Sequence, residues 1–186
     1  MKGAVAILAL LALAGCKEDA AQDVTPLALT PAAIGHFCQM NLMEHEGPKA
    51  QVHLGGLPGA PLFFSQVRDA LAYARMPEQT HEILAIWVND MGADGATWAV
   101  PGIDNWIAAG DAVYVLGSDA VGGMGAPEIV PFSDAAAARS FADTHGGRVV
   151  TQDAIPDDAV LAPVAIEPDT EDTEFEQRLR ALSRRN

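Results

Sequence analysis

The residues that could do chemistry are concentrated in one short segment, residues 36–45, which reads HFCQMNLMEH. It contains a thiol at Cys38, thioethers at Met40 and Met43, and an imidazole at each end. Thiolate and thioether sulfur are soft ligands and favour Cu(I). Zinc is a poorer match, because closed zinc sites need four ligands and usually more than one Cys or His. The segment therefore indicates a Cu(I) site.

A strand predicted over residues 37–42 would place Cys38 and Met40 on one face, since side chains alternate along a strand. Their Cα atoms would then lie ~6.6 Å apart, from a rise of ~3.3 Å per residue. Met43 falls where this strand should end. An apolar core strand carrying Cys and Met gives the same string of residues, so inert packing of Cys38 stays open as an alternative.

Two further residues are candidate partners for this pair. Met124 lies in a glycine-rich stretch, residues 118–127, which reads SDAVGGMGAP and predicts a loop. A methionine exposed on such a loop would suit a mobile third ligand. His45 follows the predicted strand closely enough to join the site as a ligand or to support it, and His36 would share the face of Cys38. For both histidines, a surface position is favoured over ligation.

The N-terminus has the pattern of a secretory signal peptide, residues 1–15, with Lys2 followed by an apolar run too short to span a bilayer. Residues 13–16, Leu-Ala-Gly-Cys, resemble the lipobox of bacterial lipoproteins, in which Cys16 receives a diacylglyceryl group. The predicted location is periplasmic and membrane-anchored, at the inner or outer membrane. Thiols usually pair there, so Cys38 is unusual, and lipidation leaves Cys16 unable to pair with it.

Composition predicts an acidic globular protein. Hydrophobic residues make up 49% of the 186 residues, and the formal net charge is −14 with only 11 Lys and Arg. Nucleic-acid binding is disfavoured, because the chain has no basic stripe. Residues 16–34 lack periodicity and are predicted to be a flexible tether. Residues 153–186 are rich in acidic side chains and are predicted to be a mostly disordered tail.

Between these ends the chain repeats a pattern. Residues 61–74 and 129–142 each show an apolar entry, a Phe, a Ser suited to N-capping and a helix-forming run. The helices should end near Arg75 and His145. Strand-like runs surround them, at residues 37–42, 50–54, 83–88, 106–108, 112–116 and 148–151. The sequence therefore predicts an α+β fold of two tandem ββαβ units, residues 35–90 and 91–152.

The combination of these motifs resembles the NosL family of periplasmic lipoprotein copper chaperones. The resemblance is carried by the lipobox, by FCQMNL at residues 37–42 with EHEGPKAQ at 44–51, by WVNDM at 87–91, and by VLGS at 115–118 leading to Met124. It implies a Cu(I) site built on Cys38 and Met40 with a methionine from elsewhere. It also implies handover of copper to nitrous oxide reductase through a membrane transporter and maturation complex.

The predicted function is a non-enzymatic copper chaperone, and two alternatives stay open. One is a thiol-based redox protein that uses Cys38. The other is a structural or interaction lipoprotein without metal. The implied fold also resembles that of organomercurial lyases, but those need a second active-site Cys, which this chain lacks.

Overall fold

A computed structural model describes residues 21–164, and the predicted α+β class is confirmed. The strands are β1 (Ala50–Leu54), β2 (Leu62–Phe64), β3 (Ile83–Asn89), β4 (Trp106–Ala108), β5 (Val113–Leu116), β6 (Val130–Phe132) and β7 (Arg148–Thr151). The helices are α1 (Val67–Arg75), α2 (Ala135–His145) and α3 (Asp157–Leu161), with 3-10 turns at Leu42–Glu44 and Gln152–Ala154. In this range no helix is long and apolar enough to cross a bilayer. The predicted signal peptide and Cys16 lie outside the described residues.

The two ββαβ units share one connectivity. The first sheet has the order β2-β1-β3-β4 and the second has the order β6-β5-β7, with every pairing antiparallel. In each unit the first strand therefore lies between the other two strands of the unit. The helix connects these two outer strands. Ala50 pairs with both Phe64 and Val88, and Val113 holds the equivalent central position in the second unit. The repeat seen in the sequence thus reflects a repeated topology.

One predicted strand does not form, and another forms but belongs to the other sheet. Residues 37–42 form a turn rather than a strand, as described below. The strand Trp106–Ala108 was assigned to the second unit, but it pairs with β3 at the edge of the first sheet, where Ala108 lies opposite Trp87. The strands that the sequence did not predict are β2 and β6, whose residues it suggested only as apolar entries to the helices. A short apolar run shows strand character without showing its partner.

The helix ends were predicted better than the helix starts. α1 and α2 end at Arg75 and His145 as expected. The predicted Ser caps were wrong: α1 begins after Gln66, and α2 is capped by Asp134, whose carboxylate accepts two N–H groups of the first turn. Ser133 instead donates its hydroxyl to Asp90 at the end of β3. That bond joins the two units.

The side chains of β5 alternate between two cores. Tyr114 is fully buried in the main core, which β1, α1 and α3 also line, and its hydroxyl donates to the carbonyl of Ala109 at 2.7 Å. Val115 faces the opposite way and packs with Phe132 and Ala138 under α2. The second sheet is therefore covered on both faces, by α2 and by the first unit.

The described part of the predicted tether is ordered against the first sheet. Gln22 donates to the carbonyl of Leu54, Trp87 donates to the carbonyl of Val24, and the Gln51 amide exchanges two hydrogen bonds with the backbone of Leu27. Gln51 is buried on the face of β1 opposite the main core. This face needs a polar cover, and the N-terminal segment supplies it, which corrects the prediction of flexibility for residues 22–34.

The start of the predicted acidic tail is also structured. Residues 157–161 form α3, which packs against α1. Arg68 donates to the carbonyls of Ala159 and Ala162, and Arg75 donates to the carbonyl of Ile155 and to Asp157. Two arginines of α1 thus satisfy backbone carbonyls of this segment, which composition alone did not reveal. Residues 165–186 lie outside the described range.

Candidate metal centre

The predicted ligands Cys38 and Met40 lie on a tight loop. The N–H of Gly35 donates to the carbonyl of Met40 at 2.9 Å, and the N–H of Gln39 donates to the carbonyl of Gly35 at 2.9 Å. Gln39 has a φ of 56°, in the left-handed region, and its side chain donates to the carbonyl of His36. The chain therefore reverses at Gln39, so the argument from strand alternation does not apply. The loop still holds both sulfur residues within one closed turn.

Gly35 makes room for the thiol. A β-carbon added there would overlap Sγ of Cys38 and lie 3.3 Å from Leu42. The glycine therefore allows Sγ to pack directly against the backbone of residue 35. Cys38 is a free cysteine and half-buried, and Met40 keeps 42% of its surface exposed. An exposed thioether beside a sheltered thiol can meet an incoming soft cation without unfolding the loop.

Aromatic side chains support the loop from the first unit. The backbone N–H of His36 donates to the carbonyl of Phe63. The rings of His36 and Phe37 pack against Phe64 and Tyr73, with centroids 5.2–5.6 Å apart for the three closest of these pairs. The imidazole of His36 is thus used in packing near the surface, in agreement with its expected surface role. This anchors the Cys38 loop to the junction between β2 and α1.

Met124 lies on the tip of the β5–β6 connection, as the glycine pattern predicted. The N–H of Gly122 donates to the carbonyl of Ala126, and the N–H of Gly125 donates back to Gly122, both at 2.8 Å. The side chain of Met124 is 45% exposed, whereas its N–H donates to Oε1 of Gln66 at 2.9 Å. The backbone of this loop is therefore held by the first unit while the thioether remains accessible.

His45 joins the two parts of the candidate site. The 3-10 turn Leu42–Glu44 carries the chain from the Cys38 loop to His45, and Asn41 caps it through the N–H of Met43. Nδ1 of His45 lies 3.1 Å from the carbonyl oxygen of Gly123. A β-carbon on Gly123 would come within 2.6 Å of Cβ of His45, so the glycine permits this close approach.

The Nε2 atom of His45 is buried and has no hydrogen-bond partner within residues 21–164. A carbonyl oxygen only accepts hydrogen bonds, so the contact with Gly123 requires the proton on Nδ1. The neutral ring then has a free lone pair on Nε2, which is the usual arrangement of a metal-binding histidine. His45, which the sequence suggested as an additional ligand or support, therefore has an Nε2 without a partner among the described residues.

The two sulfur loops border the same part of the first unit. The Cys38 loop packs on Phe64 at the end of β2, and the Met124 loop is bonded to Gln66, two residues further along the chain. In the described part of the chain, no group of three or more His, Cys, Asp or Glu could hold a metal ion. A metal bound at this junction would consequently depend on the thioethers.

Two buried ionisable groups lie near these loops, and the sequence did not point to them. Burial lowers the pKa of Lys49 to about 8, and its ammonium donates to the carbonyls of Glu46 and Gly47. Burial raises the pKa of Glu128 to about 8. One Glu128 oxygen accepts the N–H groups of Arg68 and Ile129, and the other has no partner among the described residues.

Comparison with known proteins identifies the family of the chain. Residues 26–160 match the family model described as NosL. The chain belongs to the NosL family. A NosL from Achromobacter cycloclastes, described as a copper-binding lipoprotein, is 58% identical over 176 residues, covering 94% of this chain and 91% of the relative. A NosL of the same description from Stutzerimonas stutzeri is 32% identical over 164 residues, covering 87% of this chain and 82% of the relative.

The NosL fold is also matched in a solved structure. The crystal structure of the copper chaperone NosL from Shewanella denitrificans superposes with a TM-score of 0.64 at 29% identity. The match covers 70% of this chain and 94% of that chain. The resemblance of the chain to NosL, first drawn from short motifs, is therefore confirmed, together with its fold class.

Sequence reasoning missed several residues that contact the candidate site. Gln66 was read only as part of a helix start, although its side chain is bonded to the Met124 loop. Gly35 and Gly123 were not singled out, although each allows a close approach to Cys38 or His45. The glycines flanking Met124 were a usable signal for Gly123. No local signal identifies Gln66, because its partner is 58 residues away.

Proposed function

We propose that the protein is a carrier of one Cu(I) ion, bound by the Cys38 thiolate and the thioethers of Met40 and Met124. His45 adds a nitrogen through Nε2. The ion is cargo to be passed on, which makes the protein a chaperone rather than an enzyme. Its proposed destination is nitrous oxide reductase, reached through a membrane transporter and maturation complex. The proposed location is the periplasmic side of a membrane, with a lipid on Cys16.

The observation that carries this proposal is the contact between the loop of Met124, in the second unit, and His45 in the first. Met124, on the second unit, has an exposed side chain next to a backbone that contacts His45. Cys38 and Met40 lie on the loop that precedes His45 by only a short turn. Cu(I) tolerates two to four ligands without a strict geometry, so a site shared between loops suits it.

The partial exposure of the donors also supports transfer. Met40 and Met124 are 42% and 45% exposed, so an acceptor could approach the ion while it is still bound. A resident structural metal would instead be enclosed by its ligands. The copper-binding description of the Achromobacter and Stutzerimonas relatives supports the same cargo.

Anaerobic Cu(I) titration against a competing chelator tests the proposal on the soluble protein without residues 1–16. We expect saturation at one ion, loss of tight binding in Cys38→Ala, and weaker binding in Met40→Leu and Met124→Leu. Met43→Leu and Met76→Leu are matched controls, because both methionines are exposed but neither is a proposed ligand. Unchanged affinity in Cys38→Ala would reject the site.

The proposed destination requires a separate test in cells. Nitrous oxide reductase purified from cells that carry Cys38→Ala should contain less copper than the enzyme from wild-type cells. Equal copper content would reject the destination even if Cu(I) binding in vitro were confirmed. A thiol redox role predicts instead that Cys38 cycles between oxidised and reduced forms without copper, which mass spectrometry of the thiol would reveal.

A further inference from the structure

Gln66 has an unusual position for a polar side chain. It is fully buried at the start of α1, and it makes no capping hydrogen bond to that helix. Its Oε1 instead accepts the N–H of Met124 at 2.9 Å, and its Nε2 lies 3.5 Å from the carbonyl of Ala126. Both the oxygen and the nitrogen of the Gln66 amide therefore contact the loop of the second unit that carries Met124.

We infer that Gln66 is the positioning residue that places Met124 in the copper site. It holds the backbone of that loop against the junction that also supports Cys38. This inference rests on the proposed Cu(I) site and adds a residue that does not itself bind the ion.

The loop needs such an anchor because its sequence gives it little rigidity. Glycines at positions 122, 123 and 125 surround Met124, and glycine loses more backbone entropy on ordering than any other residue. Methionine adds a flexible side chain of three rotatable bonds. A ligand on an unrestrained loop would have to be ordered by the metal, at a cost in affinity. A buried amide that fixes the Met124 backbone removes part of that cost.

The packing around Gln66 shows that the loop is fitted closely to it. A β-carbon on Gly122 would overlap Nε2 of Gln66 and come within 2.7 Å of Oε2 of Glu128. On the other side of the turn, Gly123 is pressed against His45 and the carbonyl of Glu46. The loop tip is therefore clamped between two parts of the first unit. Among the described residues, the bond to Gln66 is the one that acts directly on the residue carrying the thioether.

Gln66 also lies close to the residue that supports the loop of Cys38. It follows Phe64 by two residues, and the ring of Phe64 packs on Phe37 with centroids 5.2 Å apart. One short stretch of backbone thus carries the support of the Cys38 loop and the anchor of Met124. Displacing Gln66 would move Met124 relative to Cys38 while leaving both sulfur atoms chemically intact.

A double-mutant cycle on Cu(I) affinity tests this role. Gln66→Leu removes both hydrogen bonds and keeps a buried side chain of similar size. We expect it to weaken Cu(I) binding by about 10- to 100-fold, the usual effect of losing a partner that orients a metal ligand. Added to Met124→Leu, it should cause no further loss, because its effect passes through Met124. Wild-type affinity in Gln66→Leu, or losses that add, would overturn the inference.

Gln51→Leu is the matched control. Gln51 is also a fully buried glutamine that bonds to the backbone of a distant segment, but that segment contains Leu27 instead of Met124. We expect Gln51→Leu to lower the free energy of unfolding and to leave Cu(I) affinity unchanged. If both glutamine variants lowered affinity equally, a general loss of stability would explain the result and the inference would fail.

A measurement on the unmodified protein keeps the inference testable if Gln66→Leu does not fold. Amide hydrogen exchange followed by NMR should show the Met124 N–H protected, although its side chain is exposed. Exchange as fast as in an unstructured peptide would overturn the inference. Tight Cu(I) binding that depends on Cys38, but not on Gln66, would reject this inference and leave the proposed function standing.

Discussion

Nδ1 of His45 lies 3.1 Å from the carbonyl oxygen of Gly123, which places the first unit in direct contact with the loop of the second. This one hydrogen bond has two effects. It sets the tautomer of His45, so that the lone pair on Nε2 is free. It also brings Gly123, the residue before Met124, to His45, the last residue of the segment that contains Cys38. The tautomer of His45 and one of the contacts between the two units therefore depend on the same hydrogen bond.

The first prediction concerns Gly123. Gly123→Ala would place a methyl group 2.6 Å from Cβ of His45 and 3.0 Å from the carbonyl of Glu46, so the loop must move outward. We expect Cu(I) affinity to fall by at least about tenfold, since metal sites lose that much when the residues that orient ligands are disturbed. Gly110→Ala is the control, because its nearest neighbour would be 3.8 Å away. Equal affinities in the two variants would contradict the prediction.

The second prediction concerns the shelter of the Cys38 thiol. Gly35→Ala would force Sγ away from the backbone on which it rests. We expect the thiol to react faster with a disulfide reagent such as DTNB, because it becomes more exposed. The reaction is followed by absorbance in the metal-free protein. A rate equal to that of the wild type would show that the thiol does not rest on Gly35.

The third prediction concerns the dependence of stability on pH. Because the folded pKa of Glu128 is raised to about 8, the folded state holds a proton there that the unfolded state loses above about 4.5. This contribution to the free energy of unfolding is therefore lost as the pH rises from about 4.5 to 8. The lowered pKa of Lys49 acts in the opposite direction, and stability recovers as the pH rises from about 8 towards 10.5. Together the two groups should produce a minimum near pH 8.

Glu128→Gln tests this dependence, because an amide keeps the oxygen that accepts the N–H groups of Arg68 and Ile129. Urea unfolding across the pH range should show a smaller decrease below pH 8 in this variant. Glu44→Gln, an exposed change in the 3-10 turn, is the control. A wild-type slope that persists in Glu128→Gln would assign the pH dependence to other groups.

The fourth prediction concerns Tyr114, which is fully buried where the two units meet. Tyr114→Phe removes the hydroxyl that donates to Ala109 and leaves a buried carbonyl without its partner. We expect the free energy of unfolding to fall by about 1–3 kcal/mol. Urea denaturation of the metal-free protein measures this. Cu(I) affinity should be unaffected, which separates core stability from the site.

The sequence was informative where the determinants are local. Arg75 and His145 end their helices beside Pro and Gly signals, and the glycines around Met124 correctly indicated an accessible loop. The repeat was also visible, because each unit reuses one apolar strand and one helix start. These features depend on residues within a few positions of one another.

The sequence was uninformative where geometry or distant partners decide. The segment 37–42 has the composition of a strand, but Gln39 adopts a left-handed conformation that neither Gly nor Asn marks in advance. The run Trp106–Ala108 joins the sheet of the first unit because an edge beside β3 is available, which only the assembled fold reveals. The bonds of Gln66 and Gln51 to distant backbone were invisible for the same reason.

The early docking of the N-terminal segment limits how far the protein can move from a membrane. Gln22 is bonded to Leu54, so a lipid on Cys16 would lie only six residues before the docked chain. Fully stretched, they reach about 20 Å, whereas a free chain to residue 34 would reach about 60 Å. The short linker would thus keep the protein close to the bilayer surface. An acceptor of its cargo would have to present its own site at that height.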